Sequence, residues 1–205
     1  SLRVNSYQYN SKLGTHLNVE NLEMLSGYLN TCSHIILDSI LSHYSTQMNS
    51  ISQFQKNIEA LAKNLHKLSD YDINIKEINL GGGFPEAVIM NEEQLTKNAR
   101  KIKQILEQYY LSDKKIIFEP GRYFVGDAGV YVGRVIKVDK DRWVFVNLGN
   151  HICPKFAKCS LRFYNATRIE KAHKFKASIA GIIPTDQDVL AKDYFFTKEI
   201  EVGDY

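Results

Sequence analysis

The feature that most limits the fold is a repeat. Apolar segments run out into polar or glycine residues at Asn5, His43, Leu80 and Glu119, at nearly equal spacing, and each interval holds a helical pattern. Between His43 and Leu80, the residues Ile51, Phe54, Ile58, Leu61 and Leu65 recur at alternating spacings of three and four, which marks one helix face. Ser50 and Gln53 supply a capping box at its start. Between Leu80 and Glu119, Leu95, Ala99, Ile102, Leu106 and Tyr109 do the same, opened by Asn91 and by Glu92 and Glu93, acids that suit a helix N-terminus. Regular βα units with polar residues gathered at the strand C-termini predict a parallel sheet, in part of a (β/α) barrel or in a doubly wound fold. Four such units are half a barrel.

After Gly126 the pattern changes. Val130 to Val138 alternates apolar and polar residues, Asp139 to Arg142 forms a turn, and Trp143 to Leu148 returns as a strand. Further strands are expected over Lys174 to Ala180 and Thr197 to Val202, while Asn150 to Lys171 carries little pattern. The expected division is therefore residues 1–126 as an α/β domain and 127–205 as a β domain.

Composition serves mainly to exclude. The chain has 205 residues, 44% hydrophobic and 24% charged, which is enough to bury a sizeable core. A net charge of +3 does not argue for nucleic acid, and Lys97, Arg100, Lys101 and Lys103 fall on a helix flanked by glutamates, as a solvated face would. No run of about 20 apolar residues is present, so no membrane span is expected. The three cysteines, Cys32, Cys153 and Cys159, form no CxxC pair and are odd in number, which fits thiols in a reducing, cytoplasmic setting. No signal peptide is evident, and both ends read as cut, so a fragment of a longer protein is expected.

Two turns carry the chemistry: Gly81-Gly82-Gly83-Phe84-Pro85 and Glu119-Pro120-Gly121-Arg122. Consecutive glycines let backbone NH groups approach an anion closely, and a helix start beyond them would add its positive end. Arg122 can fork onto the same phosphate. Glu119 would then stand in the mouth of the site. A ligand with a phosphate at one end and a protonatable ring nitrogen at the other satisfies both turns. Each residue also has a plain alternative: His43 as a structural histidine, the glycines as a turn, Arg122 with Glu119 as an ion pair. Convergence of Arg3, His43, Thr46, the glycines, Glu119 and Arg122 on successive strand ends favours a ligand site.

In order along the chain, Leu2-Arg3-Val4-Asn5, Ser11-Lys12-Leu13-Gly14, His43-Tyr44-Ser45-Thr46-Gln47, Gly81 to Pro85 and Glu119 to Arg122 resemble the pyridoxal-phosphate decarboxylases of the alanine racemase fold. These include diaminopimelate, ornithine and arginine decarboxylases. The likeness runs from Leu2 to about Val138 and continues more loosely through Gly181 to Ala191 and Gly203-Asp204. It implies the second half of a (β/α)8 barrel followed by part of a β-sandwich or Greek-key domain, with pyridoxal 5'-phosphate as cofactor and no metal.

By the same resemblance, His43 would stack on the pyridine ring. Thr46, Gly81, Gly82, Gly83 and Arg122 would hold the phosphate, and Glu119 would pair with the ring nitrogen. Arg3 would lie near the cofactor from the neighbouring strand end. The implied reaction is loss of an amino acid's α-carboxylate followed by reprotonation, in a cytoplasmic homodimer with active sites at the interface. The lysine that the family bonds to its cofactor should precede Ser1, and the family tyrosine after Gly203-Asp204 should follow Tyr205, so the chain alone is expected to be inactive.

Three departures bear on the substrate. Pro184 and Thr185 stand where the family has a cysteine and an acid, Leu148 where ornithine-type members carry an aspartate, and Cys153-Pro154 where diaminopimelate enzymes tend to have arginine-proline. An atypical amino-acid substrate is the expectation. A racemase on the same fold, a noncatalytic relative and an unrelated phosphate-binding barrel are the alternatives.

Overall fold

The computed structural model describes residues 1–5, 12–152 and 161–205, which form two compact units, Ser1–Gly129 and Val130–Tyr205. Ser11, Cys153, Pro154 and Cys159 lie outside the described residues.

In the first unit the four expected βα strands form one parallel sheet in sequence order: β1 (Leu2–Arg3), β2 (Ser39–Leu41), β3 (Glu77–Asn79) and β4 (Lys115–Ile117). Regular pairing stops two residues short of the expected ends at Asn5, His43 and Glu119, and one short of Leu80. Single backbone bonds carry the contact on, from Val4 NH to Leu41 O, Ser42 NH to Asn79 O and Leu80 NH to Ile117 O. The strand ends are thus free to turn into loops while remaining tied to one another.

Helices follow each of the first three strands: α1 (Val19–Thr31), α2 (Ile51–Ser69) and α3 (Glu92–Gln108). The predicted capping box of Ser50 with Gln53 is present, and Asn91, expected at the start of α3, forms a second one with Gln94. The stripe on α2 buries Phe54, Ile58, Leu61 and Leu68 against Ile40 and Ile78 of the sheet. Full burial of a Leu, Ile or Phe side chain contributes about 1.5–3 kcal/mol, so this helix face dominates the first core. Asn57 sits in the same stripe, wholly buried. Its Nδ2 donates to Ser42 O at 3.2 Å and Leu80 O at 3.0 Å, clamping the ends of β2 and β3, while its Oδ1 finds no hydrogen-bond partner among the described residues.

The helix expected after the glycines opens at Asn91, as the sequence places it, and so starts some way beyond the glycine loop. Residues 87–90 form turns, and α3 begins only at Glu92 with Asn91 as its cap, so the positive end of that helix does not open on the glycine loop. The short helix α4 (Gly121–Val125) instead follows Glu119 and Pro120. Among the described residues, no helix is long and apolar enough to cross a membrane.

The second unit is a mixed sheet in sequence order: β5 (Val135–Val138), β6 (Trp143–Val146), β7 (Phe175–Ala180) and β8 (Val189–Phe196). The β5–β6 hairpin turns at Asp139 to Arg142 as predicted, with Arg142 NH donating to Asp139 O at 3.0 Å. Its first strand starts later than Val130 because Val130, Tyr131 and Val132 are all exposed and face no core.

The expected strand over Thr197 to Val202 is corrected: the strand is Val189–Phe196, and 197–202 is turn and coil. Its alternation was hidden by Lys192 and by Asp193, a non-glycine residue at φ 50° beside a shift in register. Past it, the buried Asp204 carboxylate accepts from Asn165 Nδ2 at 2.9 Å, Arg168 Nε at 3.0 Å and Glu201 NH at 3.1 Å. Burial pushes its pKa up, but these donors outweigh burial and hold it below the usual carboxylate range.

Candidate functional site

Register places the chemistry. Arg3 stands level with Leu41, Leu41 with Asn79, and Asn79 with Ile117. Two residues further along each strand direction lie Asn5, His43, Gly81 and Glu119, so the expected site residues share one rim of the sheet. Arg3 lies two residues before it on β1, yet its charge reaches His43.

The glycine loop is held by side chains beneath it. Phe84 packs between Phe54 of α2 and Phe118 at the end of β4, with ring centroids 5.3 and 5.5 Å away. This anchor brings the loop against its neighbours so closely that side chains are excluded. A Cβ on Gly82 would lie 2.4 Å from Glu119 O, and one on Gly83 would lie 2.2 Å from Ser45 O. Gly81 and Gly83 also sit at φ +69° and +92°, a region that disfavours other residues. The loop bearing Thr46 is stitched to the glycines by Met48 NH donating to Gly83 O at 2.8 Å.

Asn79 is the residue that sequence reasoning missed. Its Oδ1 accepts from Gly81 NH at 2.8 Å and its Nδ2 donates to Glu119 Oε1 at 2.8 Å. One buried amide therefore fixes both the glycine loop and the carboxylate. The available signal was a polar residue interrupting the apolar run Ile78-Asn79-Leu80, just before the glycines. This bond also changes the role expected of Gly81: its NH is spent inside the protein, so Gly81 contributes shape, and the donors left to face an anion belong further along the loop. Gly82 NH points to His43 Nδ1 at a long 3.4 Å.

Replacing Asn79 by leucine should strand the buried Gly81 NH and release Glu119. The expected cost is about 1–3 kcal/mol, typical of a buried donor left unpaired, and urea denaturation measures it. An unchanged unfolding midpoint would mean that the bridge does not hold the loop.

The electrostatics join the same residues. Partial burial and then the positive charge of Arg3 lower the pKa of His43, while Glu119 opposes them. The imidazole is thus neutral at physiological pH, and its flat face is available without a charge. His43 and Glu119 are both exposed on the rim, and Thr46 and Arg122 are half-buried. Among the described residues no cluster of His, Cys, Asp and Glu able to hold a metal ion is found.

In the second unit, Pro184 lies in a turn built around the buried Asp188. That carboxylate accepts from Asn150 NH at 2.7 Å and Ile183 NH at 2.8 Å. Leu148 is half-buried and packs on the second core, 2.9 Å from where a Cβ on Gly133 would sit.

Comparison with known proteins matches residues 2–126 to the family described as pyridoxal-dependent decarboxylase, pyridoxal binding domain. Diaminopimelate decarboxylase of Bacillus subtilis is 31% identical over 96% of this chain and 48% of its own length. Among solved structures, diaminopimelate decarboxylase from Helicobacter pylori complexed with L-lysine superposes with TM-score 0.73 at 22% identity, over 96% of this chain and 48% of that one. The Paramecium bursaria Chlorella virus arginine decarboxylase bound to agmatine gives TM-score 0.76 at 17% identity, over 98% and 57%. These two likenesses establish the fold, the alanine racemase-like arrangement expected from the sequence. The chain spans about half the length of the Bacillus relative. With its first unit matched nearly from end to end by the cofactor-binding model, the chain belongs to the pyridoxal-dependent decarboxylase family.

Proposed function

We propose that the rim of the first unit binds pyridoxal phosphate and that the protein removes the α-carboxylate of an amino acid. The carrying observation is the Asn79 bridge, which holds a carboxylate at one end of the rim and a side-chain-free loop beside it. These match the two ends of the cofactor. When bound, the pyridine ring draws off the electron pair left as carbon dioxide departs.

The chain's residues supply the rest. Gly82, Gly83, Thr46 and Arg122 surround the phosphate, with Gly81 shaping the loop. Glu119 holds a proton on the ring nitrogen, kept in place by Asn79 Nδ2. His43, neutral, stacks on the ring face, and Arg3 keeps it neutral by repelling a second positive charge. The Bacillus and Helicobacter relatives are named for diaminopimelate, but an apolar Leu148 and a proline at 184 support a different side chain on the substrate and a different source of the returning proton. The proton donor then has to come from another group than residue 184. A cytoplasmic homodimer with sites at its interface completes the reading.

The test is full-length protein with added pyridoxal phosphate, followed by visible absorbance and by carbon dioxide release from diaminopimelate, lysine, ornithine and arginine. Cofactor absorbance together with carbon dioxide from at least one amino acid is expected. No cofactor absorbance overturns the assignment, and interconversion of enantiomers without carbon dioxide makes the protein a racemase.

A further inference from the structure

Glu86 is an acidic side chain where the fold would favour an apolar one. It follows Phe84-Pro85 directly, is 4% exposed, and packs among residues of the first unit. A buried carboxylate is costly unless bonded, so its surroundings indicate its task. Gln47 Nε2 donates to Glu86 Oε2 at 3.2 Å. Gln47 is the residue after Thr46 and holds a left-handed backbone at φ 54°, a conformation that needs support from its surroundings.

On its other side, the Glu86 stem reaches α4. A Cβ on Gly126 would lie 2.6 Å from Glu86 Cγ, 2.6 Å from Arg122 O and 3.1 Å from Arg122 Cγ. Gly126 NH in turn donates to Arg122 O at 2.7 Å, closing the helix against that stem. One side chain thus touches the loop of Thr46 and the helix of Arg122, and it is itself rooted in the glycine segment. Those are the three walls of the proposed phosphate end.

We propose that Glu86 is a positioning residue that locks the Thr46 loop and the Arg122 helix onto the glycine loop, so that phosphate affinity depends on a buried carboxylate that does not touch the phosphate. The inference rests on the cofactor reading above and adds a residue which that reading does not use. A carboxyl group, ionised or not, exerts no Coulomb attraction on a phosphate, so a loss of affinity on removing it has to come through the loops it holds.

The experiment measures, by calorimetry on the full-length protein, the affinity for pyridoxal phosphate, for pyridoxal lacking the phosphate, and for inorganic phosphate. Glu86→Ala should weaken pyridoxal phosphate and inorganic phosphate about tenfold while leaving pyridoxal within about twofold, a loss of the size found for coupled polar networks. Gln47→Ala should weaken the same two ligands several-fold, and the double variant should be no worse than Glu86→Ala, since coupled contacts are not additive. Glu86→Gln, which keeps the shape and an acceptor for Gln47, should recover most of the loss.

Equal losses for pyridoxal and pyridoxal phosphate, or fully additive effects, overturn the proposal, because a merely structural role would not single out the phosphate. If Glu86→Ala does not fold, unchanged phosphate affinity in Gln47→Ala overturns it as well. A wild-type protein that binds neither pyridoxal phosphate nor phosphate defeats the cofactor reading itself. Wild-type binding with unaffected variants defeats only the role of Glu86.

Discussion

Glu119→Gln is expected to lower turnover by about 100-fold, the usual scale for losing a group that holds a catalytic proton, while cofactor affinity changes by no more than a few-fold. Glutamine matches glutamate in shape, and its carbonyl oxygen can still accept from Asn79 Nδ2, which meets Glu119 Oε1 at 2.8 Å. The glycine loop, anchored by Phe84 and by the Asn79 Oδ1 bond to Gly81 NH, is left in place. Affinity set by the phosphate end therefore survives. On the proposed reading, what glutamine lacks is the negative charge that would keep a proton on the ring nitrogen, and without that proton the ring would withdraw electrons poorly. His43 offers no substitute, because an imidazole has no anionic form to hold that proton. Separate measurement of kcat and of the cofactor dissociation constant decides the matter. Equal losses in both would assign Glu119 to binding instead of to the ring nitrogen.

How far the sequence discloses such a site depends on the range of the signal. The α2 stripe and the Ser50–Gln53 capping box are local patterns, each contained within a few turns of helix, and they appear in the structure where the residues place them, whereas α3 buries Ile102, Ile105 and Leu106 and leaves the expected Ala99 exposed. The rim was legible because parallel βα units force successive strand ends to one side, whichever barrel or sheet they form. Asn79 and Asn57 were not legible as tethers. Their partners, Glu119 for one and Ser42 O with Leu80 O for the other, become neighbours only once the sheet has set its register. Gly81 shows the same limit: three glycines in sequence suggest bare NH groups for an anion, and only the fold reveals that one of them is already taken. The missed strand at Val189–Phe196 failed for a different reason, since the backbone at Asp193 breaks the two-residue period on which recognition relies.

Gly83→Ala should be the most damaging single-methyl change in the first unit, and its effect separates two reasons for a glycine. If glycine were needed only to admit a ligand, the added methyl would weaken binding and leave the empty protein intact. The geometry argues otherwise. A Cβ there would lie 2.2 Å from Ser45 O and 3.2 Å from Met48 Cε, and the backbone sits at φ +92°. Met48 NH already bonds Gly83 O at 2.8 Å, so the two loops cannot part without breaking that bond. Met48 is wholly buried and its flexible end can shift, but a backbone carbonyl tied into the β2–α2 loop cannot. Overpacking of a dense region costs about 1–3 kcal/mol, and the left-handed backbone adds roughly 1–2 kcal/mol for a residue with a Cβ. The expected loss is therefore about 2–5 kcal/mol, read by urea denaturation of the protein without ligand. Gly121 is the control, since a Cβ there meets nothing within 4 Å. Gly121→Ala should leave the unfolding midpoint nearly unchanged. A Gly83→Ala protein as stable as the parent, but unable to bind phosphate, would mean that the loop opens more easily than its contacts imply and that glycine serves the ligand alone.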